Sequence, residues 1–126
     1  MKPADTHHRF RGRMTLVGPG LADVELTEEA ATVTSTLAFL DESTFREEGT
    51  IDFGGGDRVH FRSSAAGELV PGGSGERHGE ATLEIYGGAG RFAGARGSIT
   101  SSFVVSDGGA VVDERVFHVV IDRKET

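Results

Sequence analysis

The sequence contains no cysteine, tryptophan, asparagine or glutamine, and only three prolines. The absence of cysteine excludes disulfides, thiolate nucleophiles and cysteine-based zinc sites. The absence of the two amide residues excludes N-glycosylation and a side-chain amide as an oxyanion donor. No apolar run approaches the roughly 20 residues that a membrane-spanning helix needs, and the N-terminus lacks the apolar segment of a signal peptide. These absences predict a cytoplasmic protein.

Basic charge is also scarce, because 13 lysines and arginines stand against 20 aspartates and glutamates, for a net charge of -7. Binding to a phosphate backbone or to an anionic membrane surface needs a basic stripe. The composition therefore argues against nucleic-acid and membrane partners. A chain of 126 residues is long enough for one buried core. A single domain over residues 1–126 is predicted, with residues 1–9 as a disordered tail.

Short runs of alternating apolar and polar residues are abundant, and 19 glycines separate them. This period of two is typical of half-buried strands. Strands are predicted over residues 10–17, 32–39, 47–53, 57–62, 81–86, 98–105 and 110–121, with no helix of ordinary length. Residues 65–79 lose the alternation after Val70 and are rich in glycine, which predicts a mobile loop or lid.

Three arginines lie on one face of the first predicted strand, at every second position: Arg9, Arg11 and Arg13. Like charges two residues apart are typical of a solvated outer face. The alternative is a clamp for a phosphate or carboxylate group. Both interpretations place this row away from the apolar face.

Glycines 54–56 separate two alternating runs and predict a hairpin with a three-residue loop. In this register Ile51 lies opposite Val59 on one face. The pairs on the other face are Asp52 with Arg58, Thr50 with His60, and Glu48 with Arg62. Two of these pairs join opposite charges, which supports the register. His60 is therefore either a member of an exposed cross-strand ladder or a substrate-binding residue.

The last hairpin contains an acid and a base on its apolar face. Pairing across the loop at residues 107–109 places Asp113 opposite Phe103 and Arg115 opposite Ser101. Charges on a buried face are costly unless they are paired or used. The alternatives are a structural ion pair that fixes the register and a slipped register that exposes both charges.

We therefore select one candidate catalytic pair and four candidate substrate-binding residues. No ligand-type residues stand at metal-site spacing, so no metal is expected. The catalytic candidates are Asp113 and Arg115, and the substrate-binding candidates are Ser101, Phe103, Phe117 and His60.

Residues 87–97, GGAGRFAGARG, resemble the G-G-[TSA]-G-x-[FY]-x-[GA]-[AV]-x-G turn of the allene oxide cyclase barrel superfamily. This superfamily includes plant allene oxide cyclases, dirigent proteins and bacterial barrel cyclases. Residues 51–61 are similar to the hairpin that precedes this turn in the family. The resemblance implies an all-β, antiparallel, eight-stranded calycin-like barrel, often oligomeric, with an apolar lumen. The catalytic residues of the plant enzymes and of dirigent proteins have no matching positions here.

The resemblance implies a cofactor-independent cyclase or isomerase of bacterial specialised metabolism, acting on an apolar, polyketide-like intermediate in the lumen. Arg115 would be the electrophilic or orienting donor, and Asp113 its partner or a general base. The alternative is a non-catalytic carrier barrel for an apolar small molecule. A third hypothesis is an interaction protein that dimerises through the outer face around His118.

Overall fold

The computed structural model describes residues 4–18, 22–27, 31–108 and 110–121, in which ten strands and no α-helix occur. Two short 3-10 turns, Gly73–Gly75 and Gly90–Phe92, lie between strands. The predicted all-β class is confirmed. Within this part of the chain, no helix is long and apolar enough to cross a membrane. The strands are β1 (Ala4–Arg9), β2 (Arg11–Val17), β3 (Val24–Leu26), β4 (Thr32–Phe39), β5 (Thr44–Asp52), β6 (Arg58–Ser63), β7 (Gly67–Pro71), β8 (Arg77–Ala89), β9 (Arg96–Val105) and β10 (Val111–Val120).

The strands pair in the order β1-β4-β5-β6-β8-β9-β10-β2-β3, and β7 pairs with both β5 and β8. Because β6 and β7 follow one another between β5 and β8, these four strands form a closed ring in the pairing. Only Phe10 separates β1, which pairs with β4, from β2, which pairs with β10. The continuous segment of β1, Phe10 and β2 therefore connects β4 to β10 and closes the sheet. The core is a closed barrel in which all pairing is antiparallel except that between β10 and β2.

Two segments predicted to lack structure are strands. Residues 4–9, predicted to be a disordered tail, form β1 and pair with β4 through the backbone. Within the predicted loop at residues 65–79, Gly67–Pro71 forms β7 and β8 begins at Arg77. The tail prediction was wrong, since backbone hydrogen bonds to a neighbouring strand do not require an apolar alternation in the segment itself. The loop prediction was wrong for β7, in which buried Gly67 and Leu69 alternate with exposed Glu68 and Val70. Residues 72–76 do connect β7 to β8 outside the strands.

The predicted hairpin registers are confirmed. Ile51 pairs with Val59 and Thr50 with His60, and in the last hairpin Asp113 pairs with Phe103 and Arg115 with Ser101. Alternate residues of each strand point into the barrel and form one apolar cluster. Its fully buried aromatic and aliphatic members include Phe10, Phe45, Phe61, Phe92, Phe117, Met14, Ile51, Leu83, Ile99, Val33 and Val59.

The glycine-rich turn at residues 87–97 connects β8 to β9 and is held by Phe92. This side chain is 2% exposed, and its ring centroid lies 5.1 Å from that of Phe53. Asp57 accepts a hydrogen bond from the Arg91 backbone N–H at 3.0 Å and pairs with the Arg91 side chain at 3.2 Å. The turn is thus fixed against the loop of the β5–β6 hairpin.

Asp41 organises the turn between β4 and β5. Its Oδ1 accepts hydrogen bonds from the backbone N–H groups of Ser43 and Thr44, each at 2.8 Å. The backbone hydrogen bond from Ser43 is the largest of the effects that hold the pKa of Asp41 below its ordinary value. This carboxylate therefore stabilises the fold above its unfolded-state pKa, and the stabilisation is lost as the pH falls through the lower folded-state pKa.

We expect Asp41→Ala to lower the melting temperature at pH 7, because the turn loses its acceptor. The difference from the wild type should narrow as the pH falls below about 4, where the wild-type carboxyl also becomes protonated. Thermal melts of the two proteins between neutral and acidic pH measure this difference. A gap that stays constant over the whole range would contradict the role assigned to the carboxylate.

Candidate functional site

The apolar core of the barrel encloses a polar cluster of five side chains. It combines two acids, one arginine and two serines, and each residue is at most 4% exposed. The cluster draws on four strands, since β4 and β5 supply one residue each, β9 supplies one and β10 supplies two. Its members are Ser35, Glu47, Ser101, Asp113 and Arg115.

Arg115 is the centre of the cluster, because its guanidinium lies between the two carboxylates. Its Nε donates to Asp113 Oδ2 at 2.8 Å, and its Nη2 donates to Glu47 Oε2 at 3.0 Å. Ser101 Oγ donates to the other Asp113 oxygen at 3.0 Å, and Ser35 Oγ donates to Glu47 Oε2 at 2.6 Å. The result is a hydrogen-bonded network that spans the interior from β4 to β9.

The third guanidinium nitrogen of Arg115, Nη1, differs from the other two in its hydrogen bonding. Nη1 of Arg115 is buried, and the described residues offer it no hydrogen-bond partner. The guanidinium carbon lies 5.2 Å from the centroid of the Phe61 ring. A buried N–H donor without an acceptor costs about 1–3 kcal/mol, so Nη1 is an unsatisfied donor in the barrel interior.

The charge state of Arg115 follows from two opposing effects. Burial disfavours the guanidinium cation, but the Coulombic attraction of Glu47 and Asp113, with the hydrogen bonds they accept, outweighs it and raises the pKa of Arg115. Arg115 therefore remains protonated inside the apolar interior. A fixed positive charge at low dielectric polarises an adjacent oxygen much more strongly than it would in water.

Five of the six predicted site residues lie on the interior face. Asp113 and Arg115 are in direct contact, and Ser101 binds Asp113. Phe117 is fully buried, with its ring centroid 5.5 Å from that of Phe10. Phe103 is half-buried, and its ring centroid is 5.8 Å from that of Phe45.

His60 lies outside this cluster, on the outer face of β6. The alternation in β6 directs Val59 and Phe61 inward and His60 outward. Its Nδ1 lies 3.0 Å from Thr50 Oγ1, and its ring stacks on Tyr86 with a centroid separation of 6.2 Å. The ladder interpretation of His60 is the one that the structure bears out.

Sequence reasoning missed Glu47 and Ser35. The signal was present, because Glu47 has the parity of the buried Phe45 and Ile51, and Ser35 has the parity of Val33. What the sequence did not indicate is that Glu47 meets Arg115, which is 68 positions away along the chain. The contact depends on closure of the barrel.

Comparison of this chain with protein-family models, curated proteins and solved structures gives no match. Among the described residues, no group of three or more histidines, cysteines and acids is arranged to hold a metal ion. Two described grooves, of about 270 and 320 Å3, are lined mainly by outward-facing residues.

Proposed function

We propose that the barrel binds an apolar small molecule in its interior and acts as a cofactor-independent cyclase or isomerase. The observation that carries this proposal is the buried Nη1 of Arg115, which has no acceptor among the described residues. An apolar wall with one or two fixed polar groups is the usual composition of a small-molecule site. The ligand expected here has an apolar body and an oxygen acceptor directed at Arg115.

Arg115 would supply the electrophilic contact. Its Nη1 would donate to a carbonyl or ether oxygen and stabilise negative charge as it develops there. The apolar wall, including Phe61 and Phe117, would hold the flexible remainder of the molecule in a folded conformer, which reduces the entropic part of the barrier. Both contributions use side chains that are already fixed before the ligand binds.

Asp113 is better suited to hold Arg115 than to remove a proton. Both of its oxygens accept hydrogen bonds, one from Arg115 and one from Ser101. Hydrogen bonds to the charged form favour the carboxylate and weaken it as a base. Of the two roles predicted for Asp113, the geometry therefore favours that of partner to Arg115, which Glu47 shares.

The similarity of residues 87–97 to the turn of allene oxide cyclase-like barrels supports this proposal, since the turn connects two strands of a closed barrel. Assignment of the ten described strands to the eight-stranded calycin-like plan is part of the same proposal. The turn itself contributes no residue to the buried cluster. It sets the position of β9, which supplies Ser101.

A carrier barrel without catalytic activity is the second candidate. One observation favours it: each buried carboxylate is bound to Arg115 and to a serine, which leaves no unengaged base in the described cluster. Such a site binds and orients an oxygen acceptor without a proton transfer. The two candidates share the binding step and differ only in turnover.

The test uses Nile red, a neutral apolar dye with a carbonyl oxygen, and three proteins: the wild type, Arg115→Lys and the outer-surface control Arg58→Lys. Lysine preserves a positive charge between the carboxylates but lacks the second amino group of the guanidinium. We expect saturable fluorescence with the wild type and the control, and binding about tenfold weaker with Arg115→Lys. Far-UV circular dichroism verifies that all three are folded.

Turnover is then measured on a panel of apolar epoxides and unsaturated ketones, with product analysis by chiral chromatography and mass spectrometry. Product formed by the wild type and lost in Arg115→Lys supports the cyclase or isomerase. Dye binding without any product selects the carrier. Absence of dye binding and of product in the wild type rejects both, and unchanged turnover in Arg115→Lys rejects the role of Arg115.

A further inference from the structure

One end of the barrel lies closer to the buried polar cluster than the other. Along the inward face of β10, Asp113 is the last buried residue towards this near end, because Val111, the next residue of that face, is 44% exposed. Towards the far end, Phe117 and Val119 follow Arg115, and both are fully buried. A molecule that enters at the near end therefore has fewer side chains to pass before it reaches Arg115.

Three aromatic side chains close the near end above the cluster: Phe39, Phe45 and Phe103. The ring centroid of Phe45 lies 6.1 Å from that of Phe39 and 5.8 Å from that of Phe103. In the sheet, Phe103 lies opposite Asp113. These three rings, which we term the aromatic cap, therefore form a layer between the cluster and the near end.

The rings of the aromatic cap differ in how firmly they are held. Phe45 is 1% exposed and packs against a ring on each side. Phe39 is half-buried, but in the sheet it lies opposite Phe45 and not opposite a cluster residue. Phe103 is also half-buried, and it lies opposite Asp113. A partly solvated ring changes its χ1 rotamer without displacing a packed neighbour, so Phe103 is the ring over the cluster that is free to turn.

The position of Phe103 over the cluster depends on a glycine. Gly79 lies opposite Phe103 in the pairing of β8 with β9, and a Cβ at Gly79 would overlap the Phe103 ring. Gly79 is not among the glycines with positive φ, so its backbone admits alanine. The obstacle to a side chain at Gly79 is therefore the ring itself, and a methyl group there would push the ring away.

We propose that a ligand reaches Arg115 through the near end and that Phe103 is the gate of this entrance. The gate is closed while the ring of Phe103 rests on Gly79, and it opens when the ring turns towards solvent. The inference rests on the proposed function, because a ligand site inside a barrel requires an entrance. The open passage borders the aromatic ring of Phe45, so it admits apolar molecules. A gate sets how fast a ligand enters and leaves and has little effect on its affinity.

The first test measures access to the interior without any ligand. The chain has no cysteine, so Ser101→Cys introduces a single thiol, at a fully buried position two residues before Phe103 on β9. Its reaction with methyl methanethiosulfonate is followed by mass spectrometry, alone and combined with Phe103→Ala or Gly79→Ala. We expect both combinations to react at least about tenfold faster than Ser101→Cys alone, because one removes the gate and the other displaces it.

The matched control is Phe53→Ala in the same Ser101→Cys background. Phe53 is a half-buried ring near the far end, and its centroid lies 5.1 Å from that of Phe92. Its loss removes comparable packing, and we expect the thiol to react within about twofold of the rate in Ser101→Cys alone. Thermal melts verify that every variant is folded. Equal acceleration by Phe53→Ala and Phe103→Ala would show reaction through general unfolding and would overturn the gate, as would no acceleration by Phe103→Ala.

The second test measures Nile red binding by stopped-flow fluorescence in the wild type, Phe103→Ala and Phe53→Ala. We expect Phe103→Ala to raise the association and dissociation rates at least about fivefold each, with Kd within about threefold of the wild type, and Phe53→Ala to leave both rates unchanged. A changed Kd with an unchanged association rate would place Phe103 in the wall of the site and overturn the gate. If the wild type binds no dye while the thiol rates follow the expected order, the proposed function fails and the entrance stands.

Discussion

Replacement of Arg115 by methionine should lower the free energy of unfolding by about 3–5 kcal/mol, the usual cost of removing one partner from a buried ion pair. The guanidinium binds Asp113 at 2.8 Å and Glu47 at 3.0 Å, and the side chains of all three residues are at most 3% exposed. Without it, two buried carboxylates lose their shared cation. Because a domain of this size is stable by only about 5–15 kcal/mol, the variant should be close to its folding limit.

Urea denaturation at pH 7 measures this loss, and its pH dependence identifies the cause. In Arg115→Met, burial without the cation disfavours the charged forms of the two carboxyls. The loss in free energy of unfolding is then largest at high pH, where both carboxyls are charged, and it disappears as protonation neutralises them. The gap between wild type and variant should therefore narrow as the pH is lowered from 7 towards about 4.

Two comparison variants separate an electrostatic from a packing effect. Arg58→Met removes an exposed arginine that lies 3.7 Å from Asp52, and should cost less than about 1 kcal/mol. The triple variant Glu47→Leu, Asp113→Val, Arg115→Met replaces the whole network with apolar side chains and should recover most of the stability. If Arg115→Met were no more costly than Arg58→Met, the network would not be the stabilising feature described here.

The second large effect is expected at Gly97, where alanine should cost about 3 kcal/mol or more. Gly97 has φ of +145°, and a Cβ there would lie 1.9 Å from the backbone oxygen of His118. The backbone of β10 cannot move away without disturbing the strand that contains Asp113 and Arg115. Both the dihedral angle and the contact therefore oppose any side chain at this position.

Two other glycines of the same turn provide graded controls. Gly94 has φ of +77°, and a Cβ added there would meet no atom within 4 Å beyond its chain neighbours, so alanine should cost about 1 kcal/mol from backbone strain alone. Gly87 has neither a positive φ nor a close neighbour, and alanine there should be neutral within about 0.5 kcal/mol. Chemical denaturation of the three variants should rank them in the order Gly97, Gly94, Gly87, and equal losses would contradict this account.

Local pairing was predictable from the sequence, because loop length and alternation together fix a hairpin register. The loop at residues 54–56 set Thr50 opposite His60, and the last hairpin set Arg115 opposite Ser101, as the structure shows. The inward position of Asp113 and Arg115 followed directly. A shift of the hairpin register by one residue would have placed both charges on the outer surface, so the predicted inward position depended on the correct register.

Pairing between distant segments was not predictable. Strand β1 has no apolar alternation and exists because β4 offers it a backbone edge. Glu47 reaches Arg115 only because the barrel closes, although its parity on β5 already placed it inward. Local patterns thus determined which face each residue occupies, and closure determined which residues meet.

The parallel pairing of β2 with β10 has a consequence for how the chain folds. These strands lie about 100 residues apart in the sequence, so their contact carries one of the largest loop-closure costs in the protein. Residues 11–17 leave the ribosome long before their partner at residues 114–120 is synthesised. Until then β2 can pair only with β3, and its other edge is open to pairing with another chain. Strand β10 therefore both completes the barrel and covers the open edge of β2.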